Sequence, residues 1–147
     1  MKSTSVAAIY GFIGNGTKHP IPLYSESVKA GFPSPADDFI DKTIDLNELL
    51  IKHPAATFFV RVKGDSMINA GIFSGDVLVV DKALDAKNGS IVIAVIDGDL
   101  TVKRLHKNAG QVQLVPENDN FPIINITSEM SFQIWGVVKT VIRELAS

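Results

Sequence analysis

Between residues 57 and 142, apolar and β-branched side chains recur in short runs broken by turn residues, a period that suits strands better than helices. The pattern predicts strands at 57–63, 77–81, 91–96, 100–105, 112–115 and 132–142. Asn88-Gly89 and Asp97-Gly98 read as two-residue hairpin turns, because both central positions of such a turn need positive φ. Asn108-Ala109-Gly110 reads as a looser turn. Upstream, Asp45-Leu46-Asn47-Glu48 has the form of a capping box, with Asp45 as N-cap of a short helix. Leu46, Leu49 and Leu50 give that helix an apolar stripe, and Pro54 stops it. The first 36 residues show little periodicity and much punctuation, with Gly14, Gly16, Pro20, Pro22, Gly31, Pro33 and Pro35.

The expected fold is therefore mainly β: a curved, mostly antiparallel sheet with one short helix. Residues 1–36 are expected to form an extended arm with few packed contacts, and residues 37–147 the folded domain. A length of 147 residues suits one domain with a real core. Nothing in the balance of 46% hydrophobic and 20% charged residues suggests wholesale disorder. No apolar run approaches the roughly 20 residues that span a bilayer, so no membrane association is expected. The apolar stretch 6–13 is followed by Gly14-Asn15-Gly16-Thr17-Lys18 and lacks the small-residue cleavage site of a secretory signal. The absence of cysteine removes disulfides and thiol nucleophiles and fits a reducing cytoplasm.

Charge refines the choice of partner. Net charge is −2, which argues against direct, sequence-specific binding of nucleic acid by the whole chain. Lys2, Lys18 and Lys29 against Glu26 leave residues 1–30 at +2, so the remainder carries −4. A protein partner is the better electrostatic match for the body.

Two residues could do chemistry together. The Asp97-Gly98 hairpin places Lys103 mid-strand, with Thr101, Lys103 and Leu105 on one face and Leu100, Val102 and Arg104 on the other. Neither face is cleanly apolar. Such a lysine is ordinarily solvated; held against an apolar sheet it would lose its charge more readily and become a usable base. Ser66, in Gly64-Asp65-Ser66-Met67, follows the strand 57–63 at a glycine-marked turn, where an exposed Oγ could act as nucleophile. The bland reading of that serine is a turn residue closing its own hydrogen bonds.

Other catalytic sets fit worse. His19 lies in the arm, His53 at a helix end and His106 at a strand end, and no aspartate stands three residues before any of them. Three dispersed histidines without cysteine offer no metal cluster, so neither metal nor cofactor is expected. Asp37, Asp38, Asp41 and Asp45 read as a solvated segment leading into the helix. Gly11-Phe12-Ile13-Gly14-Asn15-Gly16 lacks the Lys-Ser/Thr of a phosphate loop. Ser66 with Lys103 is the pair left.

Several motifs together resemble a known family. Gly64-Asp65-Ser66-Met67, Ser74-Gly75-Asp76 with Val77-Leu78-Val79-Val80-Asp81, and Gly98-Asp99-Leu100-Thr101-Val102-Lys103-Arg104-Leu105 look like the LexA-type (S24) self-cleaving peptidases. The spacing of 37 residues between Ser66 and Lys103 suits that family. Gly31-Phe32-Pro33-Ser34-Pro35-Ala36-Asp37-Asp38 and residues 44–50 resemble its UmuD branch, the mutagenesis proteins of the SOS response.

The resemblance implies a β-rich peptidase fold shared with signal peptidases, a homodimer, and a Ser66–Lys103 dyad. Backbone N–H groups at Asp65, Ser66 or Met67 would form the oxyanion hole. It also implies cleavage between Ala30 and Gly31, stimulated by a RecA filament on single-stranded DNA. The trimmed dimer would then serve a UmuC-type Y-family polymerase in translesion synthesis. The first 19 residues have no counterpart in the resemblance. Two rivals lack their usual parts: a signal peptidase wants a membrane anchor, and a phage repressor wants two DNA-reading helices near its start. A non-cleaving module that regulates a polymerase remains the alternative.

Overall fold

The structure, a computed structural model, describes residues 3–12, 18, 20–24 and 40–146. By compactness the chain falls into two units, residues 1–12 with 53–147, and residues 13–52.

The larger unit is an eight-stranded antiparallel sheet. Its strands are β1 (Ser5–Gly11), β4 (Thr57–Lys63), β5 (Val77–Asp81), β6 (Ile91–Ile96), β7 (Asp99–Asn108), β8 (Gln111–Val115), β9 (Ile124–Asn125) and β10 (Phe132–Ile142). They lie in the order β1-β4-β5-β10-β6-β7-β8-β9, and Ser5 of β1 also pairs with Thr101 of β7. That pairing closes six strands into a barrel-like curve. Inside it Val60, Val62, Met67, Ile72, Leu78, Val80, Ile93 and Val102 form a buried cluster. The alternate positions Val92 and Ala94 face the other way and pack with Leu105 and Leu114 in a second cluster. A one-residue slip in any of these strands would exchange the two sets, so the register is strongly specified.

The smaller unit holds a ladder of β2 (Ile21–Tyr24) against β3 (Ile40–Ile44), then helix α1 (Leu46–Leu50). Asp45 caps α1 by accepting from the N–H groups of Asn47 and Glu48. Glu48 in turn pairs with Lys18 at 2.6 Å on the surface.

The expected mainly β, antiparallel class holds, and five of the expected strands from residue 57 onward keep their bounds to within one residue; β7 runs further than expected, to Asn108. Other details differ. Residues 5–11, expected in a loosely packed arm, form β1; their mix of small and apolar side chains hides the alternation, and the pairing partner lies some fifty residues downstream. The domain boundary expected at residue 36 lies outside the described residues. Asn88-Gly89 is no hairpin turn, because β5 and β6 are not neighbours. Gly89 does use positive φ (93°), but its N–H bonds the carbonyl of Leu105 and so prolongs the β6–β7 ladder. Asn108-Ala109-Gly110 is tighter than expected: Ala109 and Gly110, at φ 50° and 78°, form a two-residue turn between paired Asn108 and Gln111.

Candidate active site

The site begins where β4 ends. Gly64, at φ 102°, turns the chain in a conformation other residues resist, and Asp65, Ser66 and Met67 follow. The turn is held from behind by the segment after β8. The Glu117 N–H donates to the Ser66 carbonyl at 2.8 Å, and the Asn118 amide donates to the Asp65 carbonyl at 2.9 Å. Asn69 N–H donates to the Glu117 carbonyl, and the Glu117 carboxylate pairs with Arg104. With the carbonyls of Asp65 and Ser66 engaged on that side, the N–H groups of Ser66 and Met67 have no hydrogen-bond partner among the described residues. They are donors available to an oxygen placed beside Ser66.

Lys103 arrives from β7. The Asp97-Gly98 turn, with φ 49° and 88°, is the expected two-residue hairpin and sets Lys103 opposite Val92 of β6. Lys103 shares a face with Leu105, so its stem lies against the second apolar cluster. The side chain is 1% exposed. Its Nζ lies within hydrogen-bond distance of four oxygens, Ser66 Oγ at 2.9 Å, Thr101 Oγ1 at 2.8 Å, Ser3 Oγ at 2.8 Å and the Val102 carbonyl at 3.1 Å, among which its three protons are shared. No carboxylate is among these partners. Burial without a counter-charge pushes its pKa down from 10.5 to about 8. A neutral amine at that distance from a hydroxyl can accept its proton.

One expectation about Ser66 needs correcting. The sequence reading wants an exposed Oγ, yet Ser66 is fully buried, because the start of β1 lies over it. The Thr4 N–H donates to Ser66 Oγ at 2.8 Å.

The remaining expected residues are placed as follows. Asp65 and Met67 flank Ser66, with Met67 buried in the barrel cluster. Ala30 and Gly31 lie outside the described residues, as do His19, Asp37 and Asp38. His53 is tied to the buried Asp81 at 2.6 Å, a pair the sequence did not suggest, and His106 is exposed on β7. Burial by itself would raise the Asp81 carboxyl, but the hydrogen bonds from His53 and the Ala83 N–H outweigh it and hold the group below its usual range. Among the described residues, no three His, Cys, Asp or Glu side chains are grouped to hold a metal ion. Again among them, no helix is long and apolar enough to cross a membrane. The residues that sequence reasoning missed are Thr101, Glu117, Asn118, Ser3 and Thr4. Only Thr101 carried a signal, its place two residues before Lys103 on the same face of a strand.

The curved antiparallel sheet thus buries a serine against a lysine, with no carboxylate among the lysine's hydrogen-bond partners in the described residues. Comparison with known sequences narrows this. The profile of the Peptidase S24-like family matches residues 22–139. Protein MucA of Salmonella typhimurium is 44% identical over 131 residues, covering 88% of this chain and 89% of MucA. Protein SamA of Salmonella typhimurium strain LT2 is 47% identical over 126 residues, covering 86% and 87%. A LexA repressor of Paracidovorax citrulli is 35% identical over 150 residues, covering 97% of this chain and 66% of the repressor. The chain belongs to the Peptidase S24-like family.

Proposed function

We propose that this protein is a serine endopeptidase acting on itself, with Ser66 as nucleophile and Lys103 as general base. The observation that carries the reading is the buried 2.9 Å contact between Lys103 Nζ and Ser66 Oγ, made by a lysine whose proton is loosely held. Neutral Lys103 takes the Ser66 proton as Oγ bonds to the carbonyl carbon of Ala30. Backbone N–H groups at Asp65, Ser66 or Met67 receive the oxyanion. The Ala30–Gly31 bond then breaks as Lys103 returns the proton to the Gly31 amine, and water hydrolyses the acyl-enzyme. Small residues on both sides of that bond let the backbone approach a nucleophile closely.

The similarity to MucA and SamA, together with the resemblance of residues 31–38 and 44–50 to UmuD, supports a place in SOS mutagenesis. A RecA filament on single-stranded DNA would favour the docked, cleavable arm by binding that state better. The trimmed homodimer would then act as accessory subunit of a UmuC-type Y-family polymerase.

The test is intact mass of the purified protein during a day at about pH 10, where a lysine of this kind is neutral. The parent is expected to split into 1–30 and 31–147, with Ser66→Ala and Lys103→Ala intact. The rate should rise with pH through about 8, as Lys103 loses its proton, and level off above it. A parent that stays whole, even with an activated RecA filament, would make a non-cleaving regulatory module the better reading; the covered Ser66 is the feature that favours it.

A further inference from the structure

We propose that the groove between β4 and β7 is a strand-binding site whose resident occupant is this chain's own Ser3–Val6. This segment blocks Ser66 and has to leave before any scissile bond can reach it. The proposal deepens the peptidase reading and rests on it only for the cleavage arm of the test.

Both walls of the groove hold the segment. Ser5 and Val6 pair with Lys63 and Val62 of β4, while Ser5 pairs with Thr101 of β7. The Thr4 carbonyl accepts from the Val102 N–H at 3.2 Å and from Thr101 Oγ1 at 3.0 Å. Above the pair itself, Ser3 Oγ takes a hydrogen bond from Lys103, and the Thr4 N–H donates to Ser66 Oγ. An extended peptide is thus bound as a strand, largely through its backbone, which makes the site tolerant of sequence.

That pose is unreactive. Nucleophilic attack comes from above a peptide plane onto its carbonyl carbon, whereas an N–H donor meets its acceptor within the plane. With Oγ accepting from Thr4, its lone pair is directed at a nitrogen-bound proton, and Ser66 cannot meet the carbonyl of another segment in the same space.

The occupant is also poised to leave. Thr4 is fully buried, yet its Oγ1 has no hydrogen-bond partner among the described residues, which weakens the docking. A register shift between Val6 and Ala8 separates this end of β1 from the stretch 8–11, so it can detach while the rest stays paired with β4. Beside it lies a cavity of about 630 Å³, lined by Ser3–Val6 and the β6–β7 turn. Residues 3–6 also precede the part of the chain matched by the family profile, which starts at residue 22.

Two substitutions at Thr4 should move the site in opposite directions. Thr4→Pro removes the N–H that bonds Ser66, and Thr4→Val replaces the unpaired hydroxyl with a methyl of the same shape. The first readout needs no peptidase activity: in a Ser66→Cys background, alkylation of Cys at 66 by iodoacetamide reports whether the groove is open. Alkylation should be about tenfold faster with Thr4→Pro, the scale of one lost buried hydrogen bond, and slower than the parent with Thr4→Val. With Ser66 restored, self-cleavage at alkaline pH should follow the same order. Equal alkylation in all three folded proteins, checked by circular dichroism, overturns the proposal whatever cleavage does. Ordered alkylation with no cleavage in any variant, even with an activated RecA filament added, sustains the groove occupant and removes the peptidase reading instead.

Discussion

Lys103 has the most consequential environment of any single residue. Its ammonium is buried with hydroxyl and carbonyl oxygens for company and no carboxylate, so folding makes the proton harder to keep. Between about pH 8 and 10.5 the folded chain therefore binds fewer protons than the unfolded one, and stability rises with pH across that window. Below about 8 the full penalty applies, roughly 3 kcal/mol for a shift from 10.5 to about 8. Lys103→Met, compared in a Ser66→Ala background so that no cleavage intervenes, should be more stable at pH 7 by about 1–3 kcal/mol, measured by urea unfolding. That advantage should shrink towards pH 10.5. Lys103 was legible as an oddity because a hairpin turn fixed its strand and neither face was apolar. The cover over Ser66 was not, since Thr4 and Ser66 stand 62 residues apart and no local pattern links them.

At the scale of elements, turn chemistry and valine-rich runs reveal strands from 57 onward, but only proximity in the sheet decides what a turn does. Asp97-Gly98 joins paired strands; Asn88-Gly89, with the same local signal, does not. Strands β2 and β3 escaped notice because Pro22 interrupts the first and charged residues the second. Close approach matters most at Gly136, where β10 carries a register shift. A Cβ there would lie 2.7 Å from Val80 Cγ1 and 3.3 Å from the Asp81 carbonyl oxygen. Val80 is fully buried and cannot yield cheaply. Gly136→Ala should therefore cost about 1–3 kcal/mol, read as a lower urea midpoint with an unchanged slope.

For the molecule as a whole, the strand that completes the barrel lies upstream of the bond proposed to be cut. Hydrolysis at Ala30–Gly31 would sever the covalent link to β1 without touching its ladder of paired residues along β4. The fragments 1–30 and 31–147 should then co-elute on gel filtration under native conditions and separate in urea. Cutting and release become different events: the first a chemical step that happens once, the second a dissociation equilibrium governed by concentration. In a crowded solution the severed strand would stay bound as a noncovalent inhibitor of its own parent, and dilution, or a competitor strand for the vacated edge of β4, would set when the edge becomes free.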